Sequence, residues 1–192
     1  MTNRFLPIRP QLHQAINVLE GFYGLGSESW NVHRNVDGAP LNDSANIHEE
    51  LLSMMESPEY DTFVVLARLV WELSVKKKES TVWFLRRFAP ESSVIFLLCT
   101  HARVPLKKVL EADLTEAQFH HLTLASSLIT FTKLQLCVTP TTESFKRMLD
   151  LASQRQGAQS AVCDWVPSAV ELRAAKKSGL RVIAPDHPPK PR

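Results

Sequence analysis

Glycine is scarce in this chain, and its scarcity excludes one class of nucleotide site. The 192 residues include six glycines, and none of them lies between Glu56 and Arg86. The pattern G-x-x-x-x-G-K-S/T, whose backbone N–H groups hold the phosphates of ATP, occurs nowhere in the sequence. The sequence therefore predicts a protein that does not bind ATP through a phosphate-binding loop.

Cysteine is also scarce, and the sequence has neither a long apolar run nor a large net charge. The three cysteines, Cys99, Cys137 and Cys163, are odd in number and lie among apolar residues, which indicates reduced, buried thiols. No apolar run reaches the ~18 residues of a membrane span, and no charged-then-apolar leader opens the chain. A net charge of +2 gives no strong field for nucleic acid. We expect a cytoplasmic protein with no membrane span.

The remaining composition is that of an ordinary globular protein, with 44% hydrophobic and 22% charged residues. Residues 1–45 are expected to form a helical N-terminal arm followed by a polar loop. Residues 46–185 form the predicted domain, and residues 186–192 form a flexible, proline-rich tail.

The arm contains one amphipathic helix, and its apolar stripe needs a surface to cover it. Leu12, Ile16, Leu19 and Phe22 recur at helical spacing in "QLHQAINVLEGFYG". Trp30 follows in the polar loop, where no apolar pattern surrounds it. Since a helix of this length is marginal in isolation, these residues bind either the core or a partner. Both alternatives stay open, and all five residues are candidate interaction residues.

Strands and helices alternate along the second half of the chain. The predicted strands lie near residues 81–85, 134–138, 160–164 and 180–184. A helix between successive strands is typical of βαβ units, which build a parallel sheet with helices on its faces. The sequence thus predicts an α/β, three-layer fold.

Several helix ends can also be predicted. Ser57 and Pro58 suit the start of one long buried helix that would close at the lysines 76–78. A second helix begins near Pro90. Thr115 is the expected N-cap of another helix, and Thr142 the cap of a helix that ends at Gly157.

Four segments carry a resemblance to a known family. They are "VWFLRRFAPESS", "ARVPLKKVLEADLTEAQF", "LQLCVTPTTESFKRMLDLA" and "AVCDWV", in this order and almost without gaps. Over residues 81–166 the chain resembles the ATPase domain of hexameric replicative helicases of the DnaB type. The resemblance implies a reduced RecA-like fold.

The departures from that family concern the chemistry. Asp164 matches the acid that positions magnesium, but the phosphate-binding loop that would bring the metal–nucleotide is missing. Arg87 stands where the family has its catalytic glutamate, and a guanidinium cannot accept a proton. The resemblance therefore implies a pseudo-ATPase with no catalytic residue, cofactor or metal. Asp164 is then a relic strand-end acid.

Two other chemistries, a zinc site and a cysteine nucleophile, fit the sequence poorly. Cys99 and His101 stand two apart on a predicted helix and point to different faces, and His120 and His121 are adjacent, so neither pair suits one zinc ion. Cys163 lies in no nucleophile motif and is interpreted as a buried structural thiol.

We expect an ATPase-dead, helicase-like interaction protein that binds and inhibits or regulates a RecA-like ring motor. That motor would be a replicative helicase or a plasmid DNA-transfer ATPase, and a mobile element would suit such a gene. Arg86 and Arg87 are candidate contacts to an acidic partner, or else a solvated pair. Alternatives are a nucleic-acid-binding accessory protein of DNA replication, which would use the basic clusters, and a self-assembling structural protein.

Overall fold

The computed structural model describes residues 5–22, 44–139 and 141–185, without the side chains of residues 20–22 and 44–45. The strands are β1 (Phe5–Pro7), β2 (Thr81–Leu85), β3 (Leu134–Val138), β4 (Ser160–Cys163) and β5 (Arg181–Ile183). The helices are α1 (Ile8–Phe22), α2 (Ser44–Glu56), α3 (Tyr60–Trp71), α4 (Pro90–Ala102), α5 (Leu106–Leu110), α6 (Glu116–Thr130), α7 (Thr142–Gln156) and α8 (Ala169–Ser178). Among the described residues, no helix is long and apolar enough to cross a membrane.

The strands form one mostly parallel sheet in the order β1-β3-β2-β4-β5. β2 is the central strand and pairs in parallel with both β3 and β4, so that Trp83 lies beside Leu136 on one side and Val162 on the other. β5 extends the parallel sheet beyond β4, and β1 adds an antiparallel edge to β3. The predicted α/β fold with a mostly parallel sheet between helices is confirmed.

The two faces of the sheet bury separate cores because side chains alternate along β2. Trp83 and Leu85 face the larger core, which includes buried residues of the first six helices. Val82 and Phe84 face the smaller core under α7 and α8. The molecule therefore has three layers, of which the first is itself built from several helices.

α4 is the most deeply buried helix. Every residue from Val94 to Cys99 is buried, because α4 packs between the sheet and the helices α1, α3 and α6. Its C-terminus stops at Arg103, which adopts a left-handed conformation with φ of 56°.

The long helix expected from Ser57 is a single helical run, but it begins three residues later, at Tyr60. α2 ends at Glu56 and α3 begins at Tyr60, and the Ser57 hydroxyl accepts a hydrogen bond from the Glu59 N–H at 3.2 Å. Ser57 and Pro58 therefore form the turn between helices rather than a helix start. The run does close at the lysines, through a π-helical turn over Glu72–Lys76.

The other predicted helix ends are mostly confirmed. The Thr115 hydroxyl accepts a hydrogen bond from the Gln118 N–H, and Gly157 ends α7 with φ of 59°. α4 begins at Pro90, as predicted. The cap of α7 is Thr141 and not Thr142, because the Thr141 hydroxyl accepts the Ser144 N–H.

The described part of the N-terminal segment packs on the rest of the chain. Leu12 is 2% exposed and belongs to the larger core, and Ile16 and Leu19 are partly buried against the same core. The stripe therefore covers the domain's own core, which was one of the two alternatives for it. Trp30, the side chain of Phe22 and the tail 186–192 lie outside the described residues.

Truncation of Leu12 tests whether α1 stabilises the domain's own core or only contacts a partner. We expect Leu12→Ala to lower the free energy of unfolding by about 2–5 kcal/mol, since the cavity at a buried leucine cannot refill. Leu172→Ala is the matched control, because Leu172 is 47% exposed and its loss should cost less than about 0.5 kcal/mol. Urea unfolding measures both, and equal effects of the two changes would contradict the packing of α1.

Candidate functional site

The candidate site lies at the carboxyl ends of β2 and β4. From β2 the chain crosses to β3 on one side, and from β4 it crosses to β5 on the other. In open parallel sheets the crevice between two such strands is where ligands bind. The segments that enter this crevice are Arg86–Phe88 after β2 and Asp164–Trp165 after β4.

Asp164 binds the loop that follows β2. Its carboxylate accepts hydrogen bonds from the Arg86 N–H at 3.0 and 3.1 Å, and from the Arg87 N–H at 3.1 Å. The residue is 2% exposed, and this burial raises the pKa of its carboxyl group to about 6, although the N–H donors act in the opposite direction. The Asp164 carboxylate thus binds backbone N–H groups of the loop after β2, at a position where a nucleotide enzyme would bind a metal ion.

Arg86 closes the crevice from the side. Its guanidinium donates to the Thr139 carbonyl oxygen at 2.9 Å and to the Glu171 carboxylate at 2.7 Å, and it lies 3.9 Å from the centre of the Trp165 ring. About a quarter of the Arg86 side chain (23%) stays exposed. The arginine joins the ends of β2, β3 and β4 to the start of α8.

Glu171 is the buried anion of this network. Burial alone would raise the pKa of Glu171, but the Arg86 guanidinium and the N–H of Ser168 together lower it to about 2. Ser168 is the N-cap of α8, and its N–H donates to the carboxylate at 2.8 Å. The Glu171 carboxylate therefore caps α8 and also forms an ion pair with Arg86, the residue that follows β2.

Arg87 turns toward the opposite side, over α3. It forms an ion pair with Glu59 and stands 5.1 Å from the Phe63 ring and 5.7 Å from the Phe88 ring. Its side chain is 37% exposed. Of the two arginines singled out in the sequence, Arg87 offers more of its surface to a partner.

The cavity behind these side chains is very small. Its volume is about 10 Å³, and Phe63, Trp83, Phe88 and Asp164 are among its lining residues. A pocket for a drug-sized ligand takes about 300–1,000 Å³, whereas this space fits roughly one water molecule. Trp83, one of these lining residues, has a buried indole N–H that lacks a hydrogen-bond partner.

Glu50 belongs to the site and was missed by sequence analysis. Its carboxylate accepts the Ala89 N–H at 2.8 Å and also the Ser92 hydroxyl, so it caps the start of α4 from α2. Glu50 lies 39 residues before Ala89 in the chain, and no local pattern pairs them. The buried positions Ile47, Leu51 and Met54 could have indicated α2, although not its role.

The described residues show neither a metal-binding cluster nor an activated thiol at this site. They hold no group of three or more His, Cys, Asp or Glu that could bind a metal ion. Burial raises the pKa of the Cys99 and Cys137 thiols to about 12, which disfavours the reactive thiolate, and it raises that of Cys163 well above its usual value as well. His101 stacks on Trp71 with ring centres 3.3 Å apart.

The basic clusters are partly neutralised by their neighbours. Lys107 pairs with Glu111 at 3.6 Å and Lys108 with Asp113 at 3.2 Å. Lys76 pairs with Glu72 on the preceding turn. Such local pairing is typical of solvated helix ends.

Comparison with known proteins does not assign this chain to a family. No family model matches it, and no curated protein matches it either. A functional conclusion must therefore come from the geometry of the strand ends and from the resemblance carried by the four segments quoted above.

If Asp164 serves the fold, its removal must destabilise the protein. Asp164→Ala leaves two backbone N–H groups without their acceptor, so we expect the free energy of unfolding to fall by about 2–4 kcal/mol. Asp150→Ala, at an exposed position of α7, is the control and should change stability by less than about 0.5 kcal/mol. Chemical denaturation with and without magnesium is the measurement. A wild-type protein that magnesium stabilises, with a variant that it does not, would instead make Asp164 a metal ligand.

The Glu171 network predicts a pH dependence of stability with a definite sign. The pKa of Glu171 falls from 4.5 to about 2 in the folded protein, so its stabilisation is present above pH 4.5 and is lost as the pH falls toward 2. This shift corresponds to about 3 kcal/mol. Glu171→Gln should therefore destabilise the protein at neutral pH and flatten this acid limb.

Asp164 has the opposite effect on the pH dependence of stability, so the contributions of Asp164 and Glu171 can be told apart. Its pKa is raised from 3.8 to about 6, so its contribution to stability falls as the pH rises through that interval and is constant above it. Denaturant unfolding of the wild type and of Glu171→Gln from about pH 2 to pH 8 tests the assignment. An unchanged acid limb in the variant would refute the Arg86–Glu171 pairing.

Proposed function

We propose that this protein is a non-catalytic interaction protein built on an α/β domain whose strand-end crevice is filled by its own side chains. It binds a protein partner and performs no nucleotide chemistry. The single observation that supports this most is the contact of the Asp164 carboxylate with the backbone of Arg86 and Arg87. These N–H groups stand at the usual ligand position of such a sheet, and they are already bound within the chain.

The neighbouring contacts support the same proposal. Nucleotide phosphates need donors that are free to turn toward them. Here the Arg86 guanidinium donates to Thr139 and Glu171, and the remaining cavity is about 10 Å³. Opening this site would break several buried hydrogen bonds, including charge-assisted ones worth about 1.5–3 kcal/mol each.

For the partner, we propose a RecA-like ring motor of the replicative helicase or DNA-transfer type. The support is the order and spacing of the four segments that resemble such motors. In these rings ATP sites form between neighbouring subunits. A subunit-like protein that keeps a docking face but has no ATP site would occupy a subunit interface and stall or regulate the ring. Arg87, with 37% of its side chain exposed at the strand ends, is our candidate contact.

A hexameric replicative helicase of the DnaB type is the probe for this function. We expect added protein to lower the steady-state ATPase rate of the ring in a saturable manner. Arg87→Ala should weaken that effect by about tenfold, because one charged contact at an interface is worth about 1–2 kcal/mol. Arg173→Ala, an exposed arginine of α8, is the matched control.

Calorimetric titration of the protein itself with magnesium ATP completes the experiment. We expect no binding at micromolar concentrations, because the strand-end cavity that the described residues form is about 10 Å³. Micromolar binding would contradict the non-catalytic assignment. A ring whose ATPase rate does not respond would contradict the proposed partner while leaving that assignment intact.

A further inference from the structure

The outer face of α6 is apolar although it faces solvent. Leu124 and Leu128 are 51% and 52% exposed, and Phe131, just after the helix, is 83% exposed. Together with the exposed Ala117 and His121 they recur at alternating intervals of four and three residues. This is the a/d spacing with which one helix packs along another. The helix buries an adjoining side through Leu122, Ala125 and Ile129.

Phe119, which lies on another side of α6 from this stripe, is a further apolar residue that the domain leaves exposed. Sequence analysis does not distinguish the two sides of α6, and an apolar stripe of Phe119, Leu122, Ala125 and Ile129 would be expected to face inward. The last three are buried, but Phe119 is 52% exposed. α6 therefore carries apolar residues beyond those its own domain can cover, and large exposed apolar surfaces are typical of interaction sites.

The same face carries no charge. Between Glu116 and Lys133 the sequence contains no Asp, Glu, Lys or Arg. A solvent-facing helix is ordinarily covered by charged side chains. The chemistry of this face thus selects an uncharged partner and disfavours a charged one.

We infer that α6 is a self-association surface on which a second copy of this chain packs its own α6 in the antiparallel direction. With the two-fold axis at Leu124, small Ala117 lies opposite the partner's Phe131, and His121 lies opposite the partner's Ser127, next to the partner's Leu128. A parallel pair would instead place Phe131 against the partner's Phe131 and Ala117 against the partner's Ala117, which leaves a crowded layer and an empty one. Antiparallel packing also opposes the helix dipoles favourably.

Charge at the two ends of the helix supports the same orientation. In the antiparallel pair Glu116 approaches the partner's Lys133, and both residues are exposed in this chain. A two-fold axis brings each group near its own copy at the centre of the interface, so any charge there would meet a like charge. The absence of charge along the face and the opposite charges at its ends both fit a second copy.

The size of the surface predicts a weak dimer. The 15-residue helix is about 22 Å long, so the pair buries less than the ~800 Å² per partner of a standard interface. We expect a dissociation constant on the order of 10–100 μM. This inference does not depend on the proposed function, because α6 contributes none of the side chains described at the strand ends.

Sedimentation velocity of the full chain from about 5 to about 200 μM tests the inference. We expect the wild type to shift from monomer to dimer over this range. Leu124→Glu places two like charges at the axis and should raise the dissociation constant at least about 100-fold. Val65→Glu is the matched control, since Val65 is 54% exposed on α3, and it should dimerise as the wild type does. A wild type that remains monomeric, or a dimer that Leu124→Glu leaves intact, would overturn the inference.

Disulfide cross-linking tests whether the two α6 helices pack in the antiparallel direction. Ala117→Cys and Phe131→Cys chains are mixed and treated with a mild oxidant such as oxidised glutathione. The antiparallel pair gives the mixed disulfide between the two variants, and the native cysteines do not interfere because all three are buried. Disulfides that join only like chains would refute the antiparallel arrangement.

Discussion

The contact between Asp164 and the backbone of Arg86 and Arg87 fixes the geometry of the strand ends. Without it, the loop after β2 would have two buried N–H groups and no partner for them. With it, the loop turns so that Arg86 points toward Glu171 and Arg87 toward Glu59. One carboxylate therefore orients two arginines in opposite directions and determines which of them stays available at the surface.

This arrangement gives the strand-end acid a structural role that needs no metal ion. A carboxylate buried without compensation would be strongly destabilising, and the raised pKa of Asp164 shows that its burial is only partly compensated. The backbone donors nevertheless make it the local acceptor that the loop requires. A strand-end position that suits a metal ligand in nucleotide enzymes is here part of the hydrogen-bonded framework of the fold.

The parallel strands could be predicted closely from the sequence, whereas the site could not. β2 to β5 appear as short apolar runs, and Gly157 and Gly179 stop the helices between them by adopting positive φ values. β1 has three residues and ends at a proline, so it carries almost no strand pattern, and its pairing with β3 is a tertiary contact. The contact between Arg86 and Glu171 spans 85 residues, and no local periodicity encodes such a distance.

The position of β2 at the centre of the sheet has a consequence for synthesis of the chain. Its two neighbours, β3 and β4, are both made after it, and the acid that satisfies Arg86 follows 78 residues later. At about 5–20 residues per second, β2 spends roughly 4–16 seconds on the ribosome before that acid is translated. Both edges of this apolar strand are unpaired until β3 is translated, and the edge that β4 covers stays open for almost the whole interval, which exposes the nascent chain to aggregation.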